Sequence, residues 1–140
     1  MSPRLNRLVA FYETMTPASV GEIARLYRTD ARFRDPFNDV CGVEAIQRIF
    51  IDLFARTDGA RFVVLEDYEN GLRAALLWRL EFRFRQGGEG LEIEGMSRIR
   101  FDRDGRVALH HDHWDATGQL LSRLPMLAWP IGWLRRRLAA

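Results

Sequence analysis

All three histidines of this chain fall within six consecutive residues, His110-His111-Asp112-His113-Trp114-Asp115, together with two carboxylates. Side chains alternate between faces along an extended segment. His110, Asp112 and Trp114 therefore share one side, and His111, His113 and Asp115 the other. An imidazole beside a carboxylate moves protons near neutral pH, which makes His110 and Asp112 candidates for acid–base work. His111 and His113 could face one metal ion, but a closed structural site takes about four ligands, and the sequence positions no other Cys or His to complete one. The bland alternative is a polar set on an exposed or dimer-forming sheet face. Val107 and Leu109 are in phase with His111, which favours burying that set instead; a second subunit on the outer sheet face would remove the conflict.

Asp35 is the other carboxylate with chemistry to offer. It shares a strand face with Ala31 and Phe33, opposite Arg32 and Arg34, and precedes Pro36. A carboxylate on an apolar face is costly unless it is paired, solvated or neutralised. Asp35 is expected as a general base on a pocket wall, against the alternative of a strand-end Asp that caps its turn through Asn38 or backbone N–H groups. Ser97 lies between Gly95 and Ile99 on an apolar face. It reads as a substrate contact or as a buried hydroxyl bonded to backbone. Tyr12 and Tyr27 face the helical side, as substrate contacts or core tyrosines. Trp78 and Phe82 read as core or pocket wall. Cys41, the single cysteine, has no activating neighbour and excludes an intrachain disulfide framework.

The elements that must position these residues follow from periodicity. Leu5, Leu8, Val9, Tyr12 and Met15 are spaced as one face of a helix over 5–15, which Pro17 stops. Ser19 with Glu22 reads as the start of a second helix carrying Val20, Ile23, Ala24 and Tyr27. Residues 31–35 alternate as a short strand, and residues 43–55 repeat as a third helix. Residues 61–68 follow as a strand, then Asn70-Gly71 as a hairpin signal. Residues 72–85, 91–101 and 106–115 alternate as three further strands, punctuated by Gly87-Gly88 and Asp104-Gly105. The segment 117–138 is apolar and broken by Pro125, Pro130 and Gly132. The order is α+β: a long curved meander with helices on one face, whose wide mouth would admit a small molecule.

Composition narrows the classes. The 140 residues, 47% hydrophobic and 29% charged, favour one domain over 1–140, with 117–140 as an apolar and basic extension. All 21 basic residues are arginine, interspersed with 19 acidic ones. No broad basic stripe with stacking aromatics points to nucleic acid. No apolar run approaches the ~18 residues of a membrane span, and the first ten residues lack the apolar core of a signal peptide, so a cytoplasmic protein is expected. The tail Trp129-Pro130-Ile131-Gly132-Trp133-Leu134-Arg135-Arg136-Arg137 mixes aromatics with arginines. That suits peripheral contact with a membrane surface, a cover over the mouth, or a dimer edge.

Tyr27 to Pro36, Gly42-Val43-Glu44-Ala45-Ile46, Gly95 to Phe101, Asp104-Gly105-Arg106-Val107 and His113-Trp114-Asp115 together resemble the nuclear transport factor 2-like superfamily in its SnoaL-like branch, over about residues 5–115. The resemblance implies a cone-shaped, cystatin-like α+β fold: a curved antiparallel sheet with three helices in the N-terminal half. The superfamily holds ketosteroid isomerase, limonene epoxide hydrolase, SnoaL-type polyketide cyclases and non-enzymatic binding modules. By that resemblance Asp35 stands at the isomerase's general base, and Tyr27 at a tyrosine supporting its oxyanion hole. Ser97 replaces its protonated aspartic acid. Phe11 replaces its oxyanion tyrosine, with Tyr12 one residue away. Asp112 resembles an inward carboxylate of the epoxide hydrolases and Trp114 a pocket wall, while Gly95, Ser97 and Ile99 replace the hydrolases' Arg–Asp pair.

The implied protein is a homodimer that binds a small apolar molecule without cofactor or metal. It would carry out proton transfer, hydration or cyclisation, with Asp35 as base and Asp112 or His110 as proton partner. Tyr27, Ser97 and Tyr12 would touch the substrate, and Trp78, Phe82 and Trp114 would form the wall. The alternative is a non-catalytic module for ligand, protein or membrane-surface binding.

Overall fold

Ser2 opens the chain's first helix: its hydroxyl accepts the Leu5 N–H at 3.3 Å, and Pro3 occupies the first turn, where no N–H is needed. The computed structural model describes residues 1–123 and 128–139. Helix α1 (Pro3–Glu13) buries Leu5, Leu8, Phe11 and Tyr12. Pro17 stops nothing; it begins a 3₁₀ segment (Pro17–Glu22), entered through Thr16, whose N–H donates to the Ser19 hydroxyl at 2.9 Å. Ser19 is thus the third residue of that turn and not its cap. Only one α-turn follows, α2 (Ile23–Leu26), and Tyr27 already opens strand β1 (Tyr27–Arg34). The run Tyr-Arg-Thr favours a pleated backbone, so the expected helix ends early and the strand begins four residues sooner.

A short strand β2 (Asp39–Cys41), not foreseen in the sequence, pairs back onto β1. Gly42 then turns the chain at φ +99°, a backbone that side chains rarely adopt, and starts α3 (Val43–Arg56), which buries Ile46 and Phe50. Strands β3 (Thr57–Asn70), β4 (Arg73–Phe84), β5 (Leu91–Phe101) and β6 (Val107–His113) complete one six-stranded sheet in the order β2-β1-β6-β5-β4-β3. The hairpin at Asn70-Gly71 forms as expected, with Gly71 at φ +61° and Asn70 paired to Arg73. Antiparallel pairing holds everywhere except between β1 and β6, which run parallel, so the sheet is mixed and not wholly antiparallel.

Ala74, Leu76, Trp78, Leu80 and Phe82 of β4 face the helices with Ile93, Gly95, Ser97 and Ile99 of β5. Strand β6 would clash with this pattern if it alternated strictly. It does not: Arg100 pairs with Leu109 but Phe101 with Val107, and the extra residue makes a bulge. Val107, Ala108 and His110 are consequently all buried. The phase conflict between Val107 and His110 is resolved inside the chain, with no second subunit needed for it.

After β6, α4 (Ala116–Gln119) and a 3₁₀ turn (Leu121–Arg123) lead toward α5 (Ala128–Leu138). The break expected at Pro125 lies outside the described residues. Pro130 and Gly132 do not break the chain: both lie within α5, Pro130 in its first turn, where a missing N–H costs nothing. Among the described residues no helix is long and apolar enough to cross a membrane.

Candidate functional site

The bulge that turns His110 inward sets its imidazole among aromatic rings. Parallel pairing places His110 beside Phe33, with ring centroids 4.6 Å apart. Antiparallel pairing on the other side sets Ser97 directly opposite Asp112. Trp78 pairs with Gly95, and a Cβ at Gly95 would stand 2.6 Å from the indole and 2.9 Å from Trp114. The indole therefore lies over the bare backbone of β5 and reaches Ser97.

These placements make one continuous buried hydrogen-bond chain. The Trp78 indole N–H donates to Ser97 Oγ at 2.8 Å. An indole only donates, so the serine's own proton is free to go on to Asp112 Oδ1 in a short bond. His110 Nε2 stands 2.6 Å from the same oxygen and must donate to it. With the imidazole neutral, that tautomer leaves Nδ1 as an acceptor. The Tyr27 hydroxyl lies 2.6 Å from Nδ1, and the Tyr12 hydroxyl 2.5 Å from that of Tyr27. Two arms of donors thus converge on one oxygen of Asp112. No hydrogen bond among the described residues engages the second, Oδ2. His110 is 3% exposed and the Asp112 side chain 16%, so the carboxylate is the member of the pair that solvent or ligand reaches.

Asp112, His110 and Ser97 form the polar end of a cavity. Tyr12, Phe50, Phe62 and Trp78 supply its aromatic wall, with Val64 and Leu76. The cavity measures about 20 Å³. It holds one water-sized group.

The tyrosines are held neutral. Burial first, then neighbouring Tyr27 and the charge of Asp112, keeps the Tyr12 phenol well above its usual range. Burial likewise pushes Tyr27 up, with Asp112 adding to the shift and the Tyr12 hydrogen bond opposing it. A phenol raised above its unfolded value of 10.0 contributes stability that is full below that pH and falls as the pH rises beyond it, because only the unfolded chain then releases its proton. Alkaline titration followed by phenolate absorbance is expected to show Tyr12 and Tyr27 ionising only as the protein unfolds. Reversible ionisation of all three tyrosines in the native state would contradict the buried pair.

Asp35 lies elsewhere. Its Oδ1 accepts the N–H groups of Phe37 and Asn38, each at 2.7 Å, and both its oxygens accept from the Asn38 amide at 3.1 Å. This is the turn cap of the bland reading. The carboxylate does not line the aromatic cavity; it borders an open depression at the rim with Trp114, His111, His113 and the outer side of Asp112. The expectation that Asp35 and Asp112 share one apolar hollow is corrected accordingly: Pro36 ends the strand, and the turn takes the side chain with it. Trp114 packs on Phe37 at that rim, 5.8 Å between centroids, outside the cavity. Phe82 is buried against Phe84 and does not reach the cavity. Tyr27 supports His110 from behind and does not line the cavity either, whereas Tyr12 does. Phe50, Phe62, Val64 and Leu76 line the cavity without having been expected as site residues, although the strict alternation of β4 places Leu76 on the same face as Trp78.

His111 and His113 lie on the opposite face, rings 3.8 Å apart. Partial burial, then His113, Arg34 and Arg98, hold the His111 imidazole below its ordinary range. Among the described residues no group of three or more His, Cys, Asp or Glu is arranged to hold a metal.

The sequence matches the family model of the SnoaL-like domain over residues 8–110. No curated protein is significantly similar to it in sequence. Solved structures share the fold. One is a proposed SnoaL-like polyketide cyclase from Shewanella putrefaciens CN-32, 18% identical, with a TM-score of 0.73, covering 90% of this chain and 98% of that one. Another is a ketosteroid isomerase-like fold from Catenulispora acidiphila DSM 44928 in complex with trimethylamine, 15% identical, with a TM-score of 0.72, covering 95% and 98%. A third is a nuclear transport factor 2-like protein of unknown function from Burkholderia pseudomallei K96243, 16% identical, with a TM-score of 0.68, covering the whole of both chains.

Proposed function

This chain belongs to the SnoaL-like domain family, and from that premise we propose that it binds one small, apolar, ring-bearing molecule at the opening of the aromatic cavity, with a single polar atom reaching in, and exchanges a proton with it through Asp112. The observation that carries the reading is the asymmetry of the carboxylate. Oδ1 is engaged by Ser97 and His110, while Oδ2 has no hydrogen-bond partner among the described residues. The first oxygen fixes the orientation of the group and the second does the chemistry. His110 and Tyr27 are positioning residues in this scheme, because each acts through the next. Tyr12 lines the cavity and keeps its proton. That proton is donated to the Tyr27 oxygen at 2.5 Å, so Tyr12 serves negative charge developing on a carbonyl oxygen of the ligand only by turning its O–H from Tyr27 to the ligand. The reaction class is proton abstraction beside a carbonyl, as in an isomerisation or an aldol-type ring closure.

The test reads the site directly. The Trp78 indole N–H, bonded to Ser97, gives a resonance that a ligand against Asp112 must move, while that of exposed Trp133 stays in place. A panel of cyclic ketones, naphthols and anthraquinone-like phenols is expected to contain members that shift Trp78 selectively and raise the melting temperature. A panel in which every binder leaves the Trp78 signal unmoved would remove the reading.

One observation favours a second reading. Four rings and a carboxylate, with no arginine bonded to it, are also the surroundings that hold an organic ammonium ion. The chain would then be a binding module and not an enzyme. Trimethylammonium and choline-like amines in the same panel separate the two: selective Trp78 shifts by amines alone support the module.

A further inference from the structure

The charge of this protein is divided along the chain. Residues 1–115 carry 17 arginines and 19 acids; residues 116–140 carry four arginines and no acid. The root of this basic tail is fastened to the domain. Gln119 exchanges two hydrogen bonds with the backbone of Glu94, at 2.7 and 2.9 Å, and Leu120 packs against the core. Farther along, α5 turns its large apolar residues to solvent: Trp133 is 49% exposed, Leu134 50% and Leu138 77%. Exposed apolar groups on a helix indicate a surface that something covers.

The arrangement of α5 identifies the cover. Leu134 and Leu138 are four residues apart and share one side of the helix. Trp133 and Arg137 form the neighbouring row, with the guanidinium over the indole at 5.5 Å. Arg135, Arg136 and Arg137 are consecutive, so they spread around most of the circumference at about 100° per residue. Arg135 and Arg137 flank the leucine row by about 80° on either side, and Arg136 lies opposite it. When the leucines are embedded, the two flanking side chains can bend outward to anionic headgroups. Tryptophan is the residue suited to that polar–apolar boundary.

We propose that α5 is a docking helix for an anionic lipid surface. Leu134 and Leu138 enter the acyl boundary, Trp133 lies at headgroup depth, Arg135 and Arg137 engage phosphate groups, and Arg136 adds its charge from the outer side. The domain would thereby be held at a membrane face, independently of what the cavity binds.

Co-sedimentation of the full chain with vesicles tests this. Binding is expected to phosphatidylglycerol–phosphatidylcholine vesicles and not to pure phosphatidylcholine, and to weaken as salt is raised. Replacing Arg135, Arg136 and Arg137 together by Gln is expected to lower partitioning on the order of a hundredfold. Leu134→Ser with Leu138→Ser is expected to lower it at least tenfold, on the scale of burying two leucines. Circular dichroism should be unchanged in both variants, since these side chains are exposed. The proposal fails if the native chain ignores anionic vesicles at low salt. It fails also if the double leucine variant binds them as well as the native chain, which would show adsorption by charge alone. Loss of a dimer or of nucleic-acid retention in the arginine variant, without any vesicle binding by the native chain, would assign the helix to those partners instead.

Discussion

Replacing Asp112 by Asn is expected to stop proton exchange with a bound ketone while leaving the protein folded. The amide oxygen can still accept from Ser97 and His110, and the amide nitrogen falls where Oδ2 stood, on the side with no hydrogen-bond partner among the described residues. No donor is forced against a donor, so the cost in stability should stay below about 1 kcal/mol. The basic atom, however, is gone. A positioned acid–base group contributes roughly 10²–10⁴-fold, and a loss in that range is the expected result. The readout needs no knowledge of the natural substrate: deuterium uptake beside the carbonyl of any ketone that shifts Trp78, followed in heavy water.

Asp35→Asn is the matched comparison. An asparagine there can still cap the turn by accepting from Phe37 and Asn38, and its side chain is outside the cavity. Exchange is expected to change by less than about twofold, well short of the effect of removing an acid–base group. The reverse pattern, with Asp35→Asn inactive and Asp112→Asn normal, would return the base to position 35.

The second large effect concerns Gly95, whose bare backbone carries the Trp78 ring. A Cβ would approach ring atoms Cζ2 and Cη2 at 2.6 Å, closer than folded proteins tolerate. The indole cannot swing away freely, because its N–H is bonded to Ser97 and the Trp114 Cβ stands on the other side. Gly95→Val is expected to destabilise by about 3 kcal/mol, the upper part of the overpacking range. That is a large fraction of the 5–15 kcal/mol typical of a domain. Gly95→Ala should cost less and displace the indole, severing the Trp78–Ser97 arm of the donor chain. Trp78→Phe removes the offending ring atoms, so the double variant Gly95→Ala with Trp78→Phe is expected to be more stable than the two single effects added together. Urea unfolding measures this coupling, and simple additivity would refute the packing account.

Much of the fold was legible because its signals are local. The alternation of β4 and β5, the Asn70-Gly71 hairpin and the period of α1 and α3 are written in neighbouring residues, and the family resemblance was carried by short motifs in the right order. Ser97, Tyr12 and Trp78 stand out as polar or aromatic residues on apolar faces, a property of sequence phase, whereas His110 and Asp112 stand out only by residue type, because strict phase buries His111 with Val107 and Leu109. The early end of the second helix and the short strand β2 were not legible. The first is fixed by the pairing of Tyr27 with Val107, remote in the chain, and the second is a three-residue strand too short to show a period, held by its pairing with β1.

What the amino-acid order determined by itself was the first and third helices, the long strands of the meander, the family, and a shortlist of residues able to handle a proton. What only the tertiary structure decided was which carboxylate meets the cavity. A bulge of one residue in β6 turns His110 inward and puts Asp112 opposite Ser97. The turn from Asp35 to Asn38, with Pro36 and Phe37 at its centre, draws the Asp35 carboxylate onto its own backbone. Strand phase predicts a side chain's face only while the ladder is regular and the strand continues. At position 35 the strand ends, and between Phe101 and His110 the ladder slips, so in both places long-range pairing and turn hydrogen bonding outweigh the local period.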